Sequence, residues 1–148
     1  MSHTSRISAI KIASVSALRA AIAELNSVGV KCALVENETP RAFFPNQEGM
    51  GKADFIVRLT DAPYDIGLYK QADGTYEART DFWGGHVEKC VGGKATKPEN
   101  ADQAKMGRLF QLYGVHAATE TAKRKGLSVR RINDASGKIK LEVTGANL

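Results

Sequence analysis

The sequence predicts an α+β fold: a mainly antiparallel sheet of about five to seven strands with two helices packed on one face, residues 1–148 forming one domain. Three observations carry this. Apolar residues recur at helical spacing in two separated stretches, around Leu18 and around Leu109. The segments outside them alternate or are rich in β-branched residues. An Asp-Gly pair, Asp73-Gly74, stands between two strand-like runs, where it favours a tight hairpin.

Taken in order, Arg6 to Ala13 alternates as a strand, with Ile7, Ile10 and Ile12 supplying bulk. Ser14 or Ser16 can cap the helix that follows. Its apolar face is Leu18, Ala21, Ile22 and Leu25, and Gly29 marks its exit after about three turns. Val30 to Glu36 reads as a second strand, carrying Val30, Cys32, Leu34 and Val35. A polar loop then runs through Pro40, Pro45, Gly49 and Gly51, and the adjacent Phe43 and Phe44 are expected to anchor it to the core. Ala53 to Thr60 makes a third strand, with Phe55, Val57 and Leu59 on one face and Asp54, Ile56 and Arg58 on the other.

Tyr64 to Gln71 and Thr75 to Trp83 close into a hairpin across Ala72, Asp73 and Gly74. The glycine-rich stretch from Gly84 to Pro98 fits a strand end, an ordered loop or a mobile one. Asn100 with Gln103 suits a capping box that opens a long helix. Its apolar face runs through Met106, Leu109, Phe110, Tyr113, Ala117 and Thr121 or Ala122 down to Gly126. Leu127 to Ile132 and Lys138 to Val143 flank Asn133, Asp134, Ala135, Ser136 and Gly137 as a terminal hairpin.

Composition bounds the function classes. A chain of 148 residues buries a real core without staples. With 43% hydrophobic and 25% charged residues it is near the globular average, which excludes wholesale disorder and fibrous repeats. No run approaches the roughly 20 apolar residues of a spanning helix. Ser2, His3, Thr4 and Ser5 lack the apolar run of a signal peptide, so the chain reads as cytoplasmic, a compartment in which Cys32 and Cys90 stay reduced.

The net charge of +5 and a pI near 9.3 favour anionic partners without diagnosing nucleic-acid binding. Its location says more. From Glu99 onward nine Lys/Arg stand against five Asp/Glu, and Lys123, Arg124, Lys125, Arg130 and Arg131 are the densest group. Part of that group meets the negative end of the preceding helix dipole.

Several short motifs occur in a fixed order: Met1-Ser2-His3, Asp65-Ile66-Gly67, Asp73-Gly74 before Tyr76, Asp81-Phe82-Trp83-Gly84, Gln111 and Tyr113, Gly126, and Gly137-Lys138-Ile139. Together they resemble the hypothetical chloroplast open reading frame thirty-five family, a domain of unknown function from plastids, cyanobacteria, other bacteria and phages. The chain departs from that pattern at Thr4, where an aromatic residue is usual, and in its long insertion from Gly85 to Asn100. The resemblance implies no established activity. It implies a plastid stroma or phage-infected host cytoplasm as alternative locations, and an AAA-type ATPase as a companion for some members by gene neighbourhood.

Candidate functional residues are those the core does not claim. Asp81, Trp83 and His86, in the hexapeptide from Asp81 to His86, join an acid, an indole and an imidazole through a flexible glycine pair. In a purely structural alternative, Phe82 or Trp83 fills the core and Asp81 caps a turn. His86 and Cys90 are spaced to share a metal with His3, Asp81 or His116, yet no second ligand pair accompanies them, so no metal and no cofactor is expected. His116 reads as a satisfied, partly buried histidine, and His3 is of interest through the family-like opening alone.

Gly49-Met50-Gly51-Lys52 lacks the spacing and the hydroxyl residue of a phosphate loop, and no nucleophile elbow is present. The leading expectation is a non-enzymatic binding or auxiliary module for a protein partner, with His3, Asp81, Trp83 and His86 at its contact surface. Two alternatives are a nucleic-acid-binding protein using Lys123, Arg124, Lys125, Arg130 and Arg131, and a small enzyme or metal site around Asp81 and His86.

Overall fold

The computed structural model describes residues 4–42, 50–93, 101–136 and 138–145, the side chains of Thr4, Ser8 and Ala9 excepted. His3, Phe43, Phe44, Asn100 and Gly137 therefore lie outside the described residues. The fold is α+β. Strands β1 (Thr4–Ile12), β2 (Cys32–Glu38), β3 (Ala53–Leu59), β4 (Ile66–Lys70) and β5 (Tyr76–Asp81) form an antiparallel sheet in the order β1-β5-β4-β3-β2. A second sheet pairs β6 (Ser128–Asn133) with β7 (Ile139–Thr144).

Helix α1 (Val15–Ser27) links the two edge strands, β1 and β2, by crossing one face of the sheet. Ser14 is its N-cap, its Oγ accepting from the Ala17 backbone N–H at 3.1 Å. Helix α4 (Gly107–Arg124) packs beside α1, and short helix α2 (His86–Val91) closes the same side. Leu18, Ile22 and Leu25 of α1 meet Leu109, Phe110 and Tyr113 of α4, Val87 and Val91 of α2, and Val57, Leu59, Ile66 and Leu68 of the sheet in one buried cluster. Met50, Ala53, Ile56 and Tyr69 form a smaller cluster with Val35 and Ala42. Ile56 and Val57 are neighbours on β3 yet belong to different clusters, as the two-residue period of a strand requires when both faces are covered.

Two polar contacts lock these layers. The buried Tyr113 hydroxyl accepts from the backbone N–H groups of Ala13 (2.8 Å) and Ser14 (3.0 Å), where β1 turns into α1. Asp65 is wholly buried just before β4. It takes the Arg41 backbone N–H at 2.9 Å and the Arg41 guanidinium at 2.7 Å, while Arg58 Nε lies 3.5 Å away. A carboxylate without water needs such partners, and this one pins the chain after β2 onto the sheet.

The hairpin across Asp73-Gly74 forms as its sequence predicts, with Gly74 at φ +85° and Asp73 Oδ1 accepting from the Thr75 N–H. The terminal hairpin likewise forms within a residue of its expected limits. Two segments differ from expectation. The glycine-rich stretch is ordered over its first part, a 3₁₀ turn (Trp83–Gly85) followed by α2. The long second helix is divided into α3 (Ala101–Ala104) and α4, because Lys105 and Met106 turn to bury Met106 in the core.

Tyr113→Phe keeps the ring and strands two backbone donors. We expect it to lower stability by about 1–3 kcal/mol, read as a reduced urea midpoint at unchanged slope; no change would show that water replaces the hydroxyl.

Candidate functional site

The candidate residues fall into two regions. The first is the end of β5. Asp81 is fully buried, and its Oδ1 accepts from the Trp83 backbone N–H at 2.9 Å, an Asx turn that stops the strand. Gly84 then adopts φ +75°, a conformation that favours glycine, and a Cβ there would stand 2.8 Å from His86 Nε2 and displace that ring. The His86 ring meets Tyr64 edge-on at 5.8 Å. Burial, and secondarily the charge of Asp81, pushes the Tyr64 hydroxyl up from its ordinary value.

Tyr64 thus meets the His86 ring and feels the Asp81 charge, but the carboxylate is closed off. A general acid or base must reach substrate, and the Asp81 carboxylate has no exposed surface. Trp83 is 49% exposed, while Phe82 is half-buried beneath Lys105 Nζ at 5.1 Å. Among the described residues, no group of three or more His, Cys, Asp and Glu is arranged to hold a metal. Cys32 and Cys90 are free thiols, both pushed up from the ordinary value mainly by burial.

The second region is the C-terminal basic surface. Lys123 and Arg124 occupy the last turn of α4 and Lys125 is its C-cap. The ribbon β6–β7 follows at once, with Arg130 opposite Glu142 and Arg131 opposite Leu141. Residues paired across an antiparallel ladder share a face. Val129, Arg131, Leu141, Val143 and Ile139 therefore look one way, and Arg130, Ile132, Lys140 and Glu142 the other.

The first face is turned to the helices at Ile139 and Arg131, while Val143 on it is 53% exposed. Ile139 packs against the main core, and Arg131 reaches α1, giving two hydrogen bonds of 2.8 and 2.7 Å to the two oxygens of Glu24. His116 Nε2, from α4, lies 2.8 Å from Glu24 Oε1. Glu24 is thus the meeting point of α1, α4 and β6. Hydrogen bonds from Arg131, then from His116, hold its carboxyl at about 2, against the opposing effect of burial.

The basic group expected from the sequence is therefore split. Arg131 serves the fold, and Arg130 faces outward within 3.9 Å of Glu142, an exposed pair of little energetic weight. Lys123, Arg124, Lys125, Lys138 and Lys140 are exposed and make no ion pair with any described residue. Through residue 120 the chain carries fourteen Lys/Arg and fourteen Asp/Glu, whereas residues 121–148 carry seven against two. The whole net charge of +5 resides in this segment.

No family model, no curated protein and no solved structure matches this chain. No helix among the described residues is long and apolar enough to cross a membrane.

Glu24 gives a test by pH. Its folded value lies below its unfolded one, so its stabilisation is complete above the ordinary glutamate value of 4.5 and is lost as pH falls through about 2. Glu24→Gln is expected to lower stability at pH 6 by about 1–3 kcal/mol, and the gap between variant and parent should close near pH 2. An equal gap at both pH values in urea titrations would show that the carboxylate charge is not what holds the ribbon.

Proposed function

We propose that this chain is a binding module whose working surface is the end of α4 with the β6–β7 ribbon, and that its partner is nucleic acid. The observation that carries the reading is the placement of the entire net charge on one segment, where Lys123, Arg124, Lys125, Lys138 and Lys140 are exposed and make no ion pair with a described residue while Arg131 turns inward to Glu24. Six residues per strand make a ribbon roughly 20 Å long, and a two-stranded ribbon is narrow enough to enter a duplex major groove. Lysines on flexible stems suit phosphate contacts, which attract without selecting sequence.

Such contacts release counterions, so affinity for a duplex falls as a power of salt concentration with an exponent of about −0.9 per phosphate engaged. We expect measurable binding of a short duplex by fluorescence anisotropy at low salt. Lys125→Ala and Lys140→Ala should each weaken it and reduce the slope by about 1. Absence of binding at low salt, or slopes unmoved by both substitutions, would refute the reading.

A second reading rests on Trp83. An indole about half exposed at a rigid turn is the type of residue that anchors protein interfaces. The family resemblance makes an AAA-type ATPase the partner to try first. Under this reading Trp83→Ala abolishes co-elution with that ATPase and leaves duplex binding unchanged; under the first, neither measurement moves.

A further inference from the structure

We propose that a cleft between the α1–β2 turn, α2 and the start of α4, whose lining shares no residue with either region above, binds a small phosphate-type oxyanion. The cleft measures about 230 Å³ and is lined by Lys31, Lys89 and Arg108, with Asp61 and the Cys90 thiol between them. These residues come from four separate segments. Lys31 follows the left-handed turn at Gly29, Asp61 follows β3, Lys89 and Cys90 lie on α2, and Arg108 is in the first turn of α4. The fold alone assembles them, and the Thr60 N–H to Lys31 carbonyl hydrogen bond of 3.0 Å joins two of the segments.

The electrostatics define the class of ligand. Elsewhere on the main body several cations are matched, Lys11 with Asp73, Arg19 with Glu36, Arg41 with Asp65 and Arg79 with Glu77, while Arg6, Lys52 and Lys70 make no ion pair with a described residue but do not line this cleft. Lys31, Lys89 and Arg108 make no ion pair with a described residue although they share one concavity. Three positive charges around a single carboxylate leave an excess of two, the charge of a phosphate dianion or monoester. Arg108 adds a planar fork suited to two phosphate oxygens, and the positive end of an 18-residue helix begins at its side. The volume falls below the roughly 300 Å³ lower bound of ordinary ligand pockets, which favours inorganic phosphate or a small phosphomonoester over a nucleotide. Cys90 contributes a neutral wall, since burial and the Asp61 charge both push its thiol up.

The test uses the full chain at constant ionic strength, with chloride as the control anion. Inorganic phosphate and glycerol phosphate are titrated separately while backbone amide shifts are followed by NMR and alkylation of Cys90 by iodoacetamide is followed by peptide mass. We expect saturable shifts at residues 29–31 and 89–91 with at least one of the two anions, and slower alkylation of Cys90 on saturation. The arm that saturates at lower concentration distinguishes the free ion from the ester. Lys89→Ala and Arg108→Ala, both exposed side chains, should each weaken binding by about tenfold or more, while Lys125→Ala should leave it unchanged. No saturable shift from either anion, binding unaltered by Lys89→Ala and Arg108→Ala, or protection of Cys90 by a duplex alone would overturn the proposal. Since Lys125 and Lys140 are outside the cleft, loss of nucleic-acid binding leaves this result independent.

Discussion

One carboxylate holds the parts of this molecule in relation to one another. Glu24 receives Arg131 from the C-terminal ribbon and meets His116 from α4 while standing on α1. A two-stranded ribbon on its own is marginal in water, and this one gains its place from Ile139 packed against the main core and from the Arg131 fork on Glu24. Turning Arg131 inward fixes which face of the ribbon looks outward, and the strand period does the rest. Arg130 and Lys140 are presented to solvent, continuous in sequence with Lys123, Arg124 and Lys125 at the helix end.

Where packing alone decides, the chain could be read directly. The apolar faces of α1 and α4, the Asp73-Gly74 turn and the terminal hairpin all follow from local periodicity, and each is where the residues place it. The break at Lys105 and Met106 was hidden because α3 and α4 keep compatible helical patterns across it; burial of Met106 reorients the chain there, and burial is a tertiary property. The order after Trp83 was hidden for a different reason. Gly84 and Gly85 both take positive φ, so the glycines that look like looseness in a sequence are the condition for a tight turn.

The candidate sites were legible only in part. His86 does meet Tyr64, but the local sequence carries no sign that the Asp81 carboxylate is enclosed or that Trp83 is about half exposed. The basic group was visible as composition, yet its division was not: Arg130 and Arg131 are adjacent and identical, and strand alternation sends one to solvent and the other to Glu24, 107 residues away along the chain. Glu24 had no motif to announce it. Lys31, Asp61, Lys89, Cys90 and Arg108 belong to four segments and are collected only by the fold, so periodicity offers no means of grouping them.

In the proposed function a polyanion lands on the outward face of the anchored ribbon together with the end of α4. Amide shift mapping during titration with a short DNA duplex at low salt tests this most directly. Perturbations are expected to concentrate at residues 123–125, 130, 138 and 140, with the Glu24 and Arg131 amides little changed. Perturbations centred on Trp83, or spread without focus over the sheet, would contradict it.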